Sequence, residues 1–438
     1  MRRDLHGTAG TSRRNFVLGT ASAAAAATTT LGLARSAHAA GSDVIRVGLV
    51  GCGGRGAGAA AQAMHADPGV RLVAMCDVMK SRVETRRKAL LERWADQMQV
   101  VDDHCFVGLD GYKQVVAASD VVLIANAAKF HPVQMAAAIE AGKHVFVEKP
   151  HAIDPAGIHL AAHACELAKQ KNLGVLSGLH SRFQANIRET IRRIHDGQIG
   201  EIVAIEGNKL RPGPYGNTRR SPELSELENQ YLNQYRFSWL SGDDVTQSLV
   251  HNLDRATWAL DETPPLCCHG MGGRSGAQHL LGDVFDNHTV VYHYANGVRL
   301  YARSRTALNC YDTRGLVVMG TKGIADVTRG RIDGQNAWRY EGPNPSPHQQ
   351  EQTEFFASLR AGKPLHCGDY MTRSTMVAIM GQLSCYSGKQ ITWDQINQSD
   401  YFLPPAVEDC TWDMEPPTAP DENGVYPVCA VPGFTTNV

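Results

Sequence analysis

Residues 44–64 read VIRVGLVGCGGRGAGAAAQAM. An apolar run meets Gly51-x-Gly53-x-x-Gly56 and passes at once into an Ala-rich segment. Glycine permits a tight turn at the first position, close backbone approach to a ligand at the second, and close helix–strand packing at the third. The spacing alone is weak evidence. Between a strand and a helix it predicts a loop whose unpaired N–H groups receive a pyrophosphate at the helix N-terminus. The next apolar run, VRLVAMCD, ends at Asp77, 21 residues past Gly56. A carboxylate there accepts from the adenosine ribose hydroxyls and repels a 2′-phosphate, which favours NAD. Arg82 lies near enough to keep NADP open.

Outward from this loop, strand-like runs at 44–50, 70–76, 120–125, 143–147 and 173–177 alternate with helical segments near 55–66, 81–98, 131–141 and 155–171. That alternation predicts a doubly wound parallel sheet covered on both faces. After Phe183 the pattern changes. A helix over 184–195 precedes a strand over 201–210 and a polar loop over 211–240, and a helix near 244–260 follows. Strands at 265–272, 284–294, 297–306 and 314–319 come next, joined by turns such as Ala295-Asn296-Gly297, then helices near 349–361 and 370–386. The fold class expected is α/β: an N-terminal Rossmann doubly wound parallel sheet and a C-terminal α/β domain on a large open, mostly antiparallel sheet. The boundaries are 40–180 for the first domain, 181–390 for the second, and 391–438 for a Pro-rich arm along the surface.

The chain has 438 residues and a formal net charge of −1, from 43 basic and 44 acidic side chains. No long run of one sign occurs, so neither nucleic acid nor an anionic membrane is an expected partner; a small molecule is. Residues 1–39 read as a targeting segment. Arg13-Arg14 precede a mildly apolar run from Phe16 to Leu33, and Ala37-His38-Ala39 supplies a small-x-small cleavage site. Twin-arginine export to the periplasm carries folded proteins, which suits a protein loaded with a cofactor in the cytoplasm. The 11 cysteines are scattered and contain no C-x-x-C, so neither a disulfide framework nor a zinc site is expected. His159, His163 and Glu166 share a helix face, but that helix should cover the outside of the sheet. No metal is expected.

The stretch IANAAKFHPVQMAAAIEAGKHVFVEKP, residues 124–150, strongly resembles the Gfo/Idh/MocA family of oxidoreductases in its H…A…AGKHV…EKP pattern. GVRLYARSR, RGLVVMGTKG and EFFASLRAGKP resemble that family's second domain. The resemblance covers most of residues 44–390. It implies a bound nicotinamide dinucleotide, a sugar or polyol substrate, and a C-terminal sheet through which the chain pairs with its own copies. It places Lys149 beside the nicotinamide ribose and the reacting carbinol. The position agrees, since Lys149 follows a parallel strand and emerges at the carboxyl edge of the sheet. Partial burial there should lower its pKa and suit it to proton exchange with a hydroxyl. Arg55 and Glu148 join Gly51, Gly53, Gly56 and Asp77 in the cofactor set. Asn126 and His131 could face the cofactor too, and His131 could equally cap its helix. Asn126-Ala127 stands where relatives often have Thr-Pro.

GDDVTQSLVHNLDRATWAL, residues 242–260, resembles the family helix that carries a substrate-facing D-x-x-x-H pair. His251, Asp254 and Trp258 match it. Gln247 stands in place of the aspartate, where it can orient the His251 ring but stabilises its charged form less well. His251 can take the hydroxyl proton or be a structural histidine in an interdomain helix. Arg182, Lys209, Arg211 and Tyr215 fall where the family's sugar cleft lies.

The leading expectation is therefore an NAD-dependent dehydrogenase of a sugar or cyclitol, with Lys149 and His251 as catalytic groups. An alternative from the same family is redox-neutral glycoside hydrolysis by oxidation, elimination, hydration and reduction. The family's α-N-acetylgalactosaminidases carry Thr-His-Gly at the reactive histidine, whereas this chain reads LVHNLD. A non-catalytic sugar- or NAD-binding protein is a third reading.

Overall fold

The computed structural model describes residues 43–213, 220–275 and 281–436. The expected leader and Tyr215 lie outside the described residues. The first sheet has six parallel strands: β1 (Ile45–Val50), β2 (Val70–Asp77), β3 (Cys105–Val107), β4 (Val121–Ile124), β5 (His144–Val147) and β6 (Val175–Ser177). Their spatial order is β3-β2-β1-β4-β5-β6. The order reverses between β1 and β4, and doubly wound sheets take ligands outside the carboxyl ends at that point. Every residue of β4 is buried, because helices cover both faces.

The covering helices are α1 (Gly54–Ala66), α2 (Lys80–Arg93), α3 (Gly111–Ala118), α4 (His131–Glu140) and α5 (Pro155–Gln170). Gly51 has φ +96°, and a Cβ on Gly56 would lie 1.8 Å from the Gly51 carbonyl oxygen. Both glycines are required by the turn between β1 and α1. β3 and α3 were not expected. A three-residue strand is too short to show alternation.

The chain continues through α6 (Ala185–His195), β7 (Ile202–Arg211), α7 (Glu226–Leu232), α8 (Ser238–Ser241), a π-helical turn at Val245–Leu249 and α9 (Val250–Ala259). Next come β8 (Cys267–Gly273), β9 (Asn287–His293), β10 (Arg299–Thr306), β11 (Thr313–Gly320), β12 (Gly323–Asp326), β13 (Arg331–Gly334) and β14 (Trp338–Arg339). Helices α10 (Pro347–Arg360) and α11 (Gly368–Ser387), strand β15 (Ile391–Thr392) and helix α12 (Trp393–Asn397) complete the order. The second sheet is nine-stranded, β14-β13-β12-β11-β7-β10-β9-β8-β15, and only β7 and β10 pair in parallel. Leu300, Ala302 and Ser304 of β10 are buried while Tyr301 is exposed. That alternation marks one covered face and one open face.

The polar loop expected over 211–240 contains α7, whose capping box pairs Ser225 with Glu228. Seven residues are too few for a readable apolar period, but the S-x-x-E start signal is present. The nine-stranded sheet extends to Thr392, into the segment read as an arm. That arm packs back on the body: the Lys129 ammonium donates to the Leu403 carbonyl at 2.7 Å, and Tyr426 is buried. All 11 cysteines are free thiols.

Candidate functional site

Two adjoining cavities lie at the carboxyl edge of the parallel sheet. The first is a narrow cleft lined by Gly51, Gly53, Asp77, Arg82, Asn126 and Gln134, among others. The second has a volume of about 470 Å³, within the roughly 300–1,000 Å³ usual for small-molecule sites. It is lined by Arg55, Glu148, Lys149, Lys209, Gln247 and His251, among others. Ala125, Asn126 and Gln234 line both.

The lining of the narrow cleft has the chemistry of a dinucleotide site. No side chain caps α1, and a Cβ on Gly53 or Gly54 would meet nothing within 4 Å. The first helical N–H groups therefore face open space, as phosphate binding requires. Asp77 is held in place by two backbone N–H groups, Cys52 at 2.7 Å and Met79 at 2.9 Å. Its carboxylate keeps lone pairs for ribose hydroxyls. The Arg82 guanidinium donates to the Leu232 carbonyl at 2.9 Å, which holds it across the cleft. Asn126 Oδ1 and Gln134 Oε1 are buried beside the cleft without a hydrogen-bond partner.

In the larger cavity the Arg55 guanidinium and the Glu148 carboxylate form an ion pair at 2.8 Å. The Lys149 ammonium donates to the Gln247 carbonyl at 2.8 Å. Burial lowers the Lys149 pKa from its ordinary 10.5, opposed by Glu148 and Asp244. His131 neither caps its helix through its side chain nor offers a free nitrogen to the cavity. Its Nδ1 lies 2.8 Å from the Pro150 carbonyl and its Nε2 3.2 Å from that of Asn126. The ring thus braces the Lys149-Pro150 turn, whose peptide bond is cis, against the end of β4. Burial pushes the His131 pKa down to about 4, so the ring is neutral and donates to one of the two carbonyls while packing against the other.

His251 reaches the cavity from the first turn of α9. Burial, then His180 and Lys149, hold its pKa well below the ordinary value. Its ring packs at a tilt against His180, 4.7 Å between centroids, and His180 packs likewise against His348 at 4.1 Å. Gln247 does not orient His251. Its side-chain amide donates to the Ser241 carbonyl, while its backbone holds Lys149. It sits in the π-turn, where the i→i+5 repeat removes the side-chain alignment that i,i+4 spacing gives on an α-helix.

Three expected substrate residues are placed elsewhere. Asp254 is fully buried and accepts from Arg182 at 2.7 Å and from Ser374 at 2.9 Å. Arg182 also pairs with Glu262, and its guanidinium lies between Trp258 at 4.6 Å and Tyr370 at 4.3 Å. An arginine gripped by two carboxylates and two ring faces is a structural pin. Arg211 pairs with Asp244 and lines a small separate cavity. All three were read from their place in the chain, which does not reveal buried ion-pair partners.

His180, Arg255, Arg314 and His348 line the cavity and were missed. His180 follows β6, so the carboxyl-edge rule that singled out Arg182 applied to it as well. His348 comes from the start of α10 and carried no local signal. Behind it, Glu351 is fully buried, and burial with Glu148 nearby raises its pKa well above the ordinary value.

Residues 45–178 match the Gfo/Idh/MocA model, described as oxidoreductase family, NAD-binding Rossmann fold. Glycosyl hydrolase family 109 protein 1 of Bacteroides fragilis is 30% identical over 222 residues, 50% of this chain and 44% of that protein. The chain thus spans under half of that relative. Myo-inositol 2-dehydrogenase of Thermotoga maritima is 25% identical over 65% of this chain and 76% of its own. The aldose-aldose oxidoreductase from Caulobacter crescentus, solved with glycerol, superposes with a TM-score of 0.61 at 18% identity, covering 80% of this chain and 99% of the other. That likeness extends the shared fold through the second domain.

Proposed function

We propose that this protein is an NAD-dependent oxidoreductase that moves hydride between a sugar or polyol hydroxyl and a tightly held nicotinamide. One observation carries the reading: a partly buried lysine, Lys149, stands where a dinucleotide cleft opens into a polar cavity of substrate size. The inositol dehydrogenase among the relatives supports the substrate class. NAD is favoured over NADP because the Asp77 carboxylate faces the cleft and would repel a 2′-phosphate.

Gly51, Gly53, Gly56 and the start of α1 would hold the pyrophosphate, Asp77 the ribose, and Asn126 and the Arg55–Glu148 pair the nicotinamide end. When bound, the cofactor supplies the hydride acceptor. Lys149 removes the hydroxyl proton: its lowered pKa raises the fraction of free amine, and the Gln247 carbonyl fixes its direction. His251, which burial keeps neutral, would position the same hydroxyl by a hydrogen bond while Lys149 takes its proton. Arg55, by pairing with Glu148, offsets part of that carboxylate's pull on Lys149 and itself helps to lower the lysine's pKa.

The family 109 relative favours a second reading, glycoside hydrolysis with no net change in NAD. One experiment separates the two. NAD-loaded protein is incubated with sugars, polyols and their glycosides, reading nicotinamide absorbance and released aglycone together. Net reduction without aglycone release is expected; aglycone release with unchanged cofactor would overturn the dehydrogenase.

Export through the twin-arginine route and self-association through the open sheet belong to this proposal. Free NAD is scarce outside the cytoplasm, which suits a retained cofactor. Val203, Tyr301, Met271 and Ile324 are exposed apolar residues on strands of the second sheet, as a paired sheet would require.

A further inference from the structure

We propose that the end of the larger cavity formed by β7, β11 and α9 binds an oxyanion, so that the substrate is an acidic carbohydrate rather than a neutral one. The inference rests on the oxidoreductase reading above and narrows its substrate.

Five cationic side chains line the cavity: Arg55, Lys149, Lys209, Arg255 and Arg314. Glu148 is the one carboxylate among the described lining residues, and Arg55 already holds it at 2.8 Å. Lys209 and Arg314 are direct cross-strand neighbours on antiparallel β7 and β11. Like charges directly opposite one another destabilise a sheet, so this pair works against folding. Arg255 approaches from α9, and its side chain donates only to uncharged oxygens: Asn252 Oδ1 at 2.6 Å, Thr328 Oγ1 at 2.8 Å and the His251 carbonyl at 2.8 Å. Its neighbour in sequence, Asp254, is committed to Arg182. Three elements therefore deliver three positive charges to one end of a cavity with no carboxylate in contact. Their mutual strain is visible in Lys209, whose pKa falls to about 8 through burial and then Arg255 and Arg314. Arg255 falls to about 10 through burial.

A dinucleotide does not supply the missing charge. Its phosphates belong at the Gly51 loop, and none of Lys209, Arg255 and Arg314 lines that cleft. Oxidised nicotinamide adds a further positive charge to the cavity. A carboxylate or ester oxyanion on the substrate would complete the set, meeting the guanidinium donors in charge-assisted pairs. It would also fix which hydroxyl is presented to Lys149.

The test uses the full chain loaded with NAD. D-glucuronate and D-galacturonate are compared with D-glucose and D-galactose, and glucose 6-phosphate and glucose 6-sulfate form a third arm. Binding is read by calorimetry and turnover by nicotinamide absorbance. At least one anionic sugar is expected to bind about tenfold or more tightly than its neutral parent. The carboxylate and ester arms tell which oxyanion is taken. Lys209→Met with Arg314→Met should bring the ratio toward one, with folding checked by circular dichroism; Arg314→Gln alone, at an exposed position, should lower it partially. Neutral sugars bound as well as every anion, no anion bound at all, or a preference that survives the double substitution would overturn the inference. NAD titrated without sugar keeps the two readings apart. Failure to bind NAD while uronate binds would sink the oxidoreductase and leave the oxyanion site standing; NAD-linked turnover of neutral sugars alone would do the reverse.

Discussion

The ammonium of Lys149 and the backbone carbonyl of Gln247 meet at 2.8 Å across 98 positions of sequence. One belongs to the turn after β5, the other to a π-turn ahead of α9. The candidate base is thus aimed by the second domain. Lys149→Met should lower turnover by about 10²–10⁴-fold, the usual weight of general-base catalysis, while NAD still binds. Single-turnover nicotinamide reduction and a separate NAD titration check this. In the wild type the rate should rise with pH through an inflection below the ordinary 10.5 of lysine.

Asp77 should govern cofactor choice. Asp77→Ala removes acceptors for the ribose and the charge that repels a 2′-phosphate. NAD affinity is expected to fall by about 10–100-fold, as for hydrogen bonds to a charged group, and discrimination against NADP to relax. Fluorescence titration with both dinucleotides measures it. An unchanged NAD:NADP ratio would remove Asp77 from the site.

Arg182 and Asp254 should act on stability. Asp254→Ala leaves a buried guanidinium with one carboxylate fewer, a loss on the order of 3–5 kcal/mol. The melting temperature should drop, while KM, measured below it, stays near the wild-type value. A raised KM with unaltered melting would restore the pair to the substrate site.

Acid should loosen the structure through buried neutral histidines. His131 has its pKa lowered to about 4, and His151, held between Thr375 and Ser177, to about 3. In the unfolded chain both protonate near 6.5, so the unfolded state binds more protons between that value and the folded pKa. Their contribution is complete above pH 6.5 and is lost as pH falls toward 4. For His131 alone this amounts to roughly 3 kcal/mol. Melting curves from pH 7.5 to 4.5 should show the decline, with a shallower slope in His131→Asn.

The proposed export should depend on residues 1–39. Replacing Arg13-Arg14 by Lys-Lys should leave folded protein in the cytoplasm, as fractionation by immunoblot would show. Normal periplasmic recovery of that variant would refute the twin-arginine route.

Gly51, Gly53, Gly56 and Asp77 were legible because their roles are local: a turn, a close approach, a strand end. Lys149 was legible because strand order fixes which edge of a parallel sheet takes ligands. Gln247 misled because the π-turn breaks the regular helical spacing to His251, and Asp254 because nothing near it in sequence shows that Arg182 and Ser374 hold it. Arg182 was named for its place after β6, yet the neighbouring His180 is the residue that reaches the cavity. Its two carboxylate partners, 72 and 80 positions away, left no mark near it.

By itself the sequence determined the class of each sheet, the Gly51-x-Gly53-x-x-Gly56 turn and the lysine at the tip of β5, since each depends on short-range period and spacing. Only the tertiary structure decided what surrounds that lysine. Gln247 supplies a backbone oxygen in place of a side chain, His180 and His348 pack toward His251, and Lys209, Arg255 and Arg314 gather charge at one end. These groups come from five separate stretches of chain, brought together by packing the second sheet and its helices beside the first. Burial then lowered the pKa of Lys149, Lys209, Arg255 and the three histidines by removing the water that favours their charged forms.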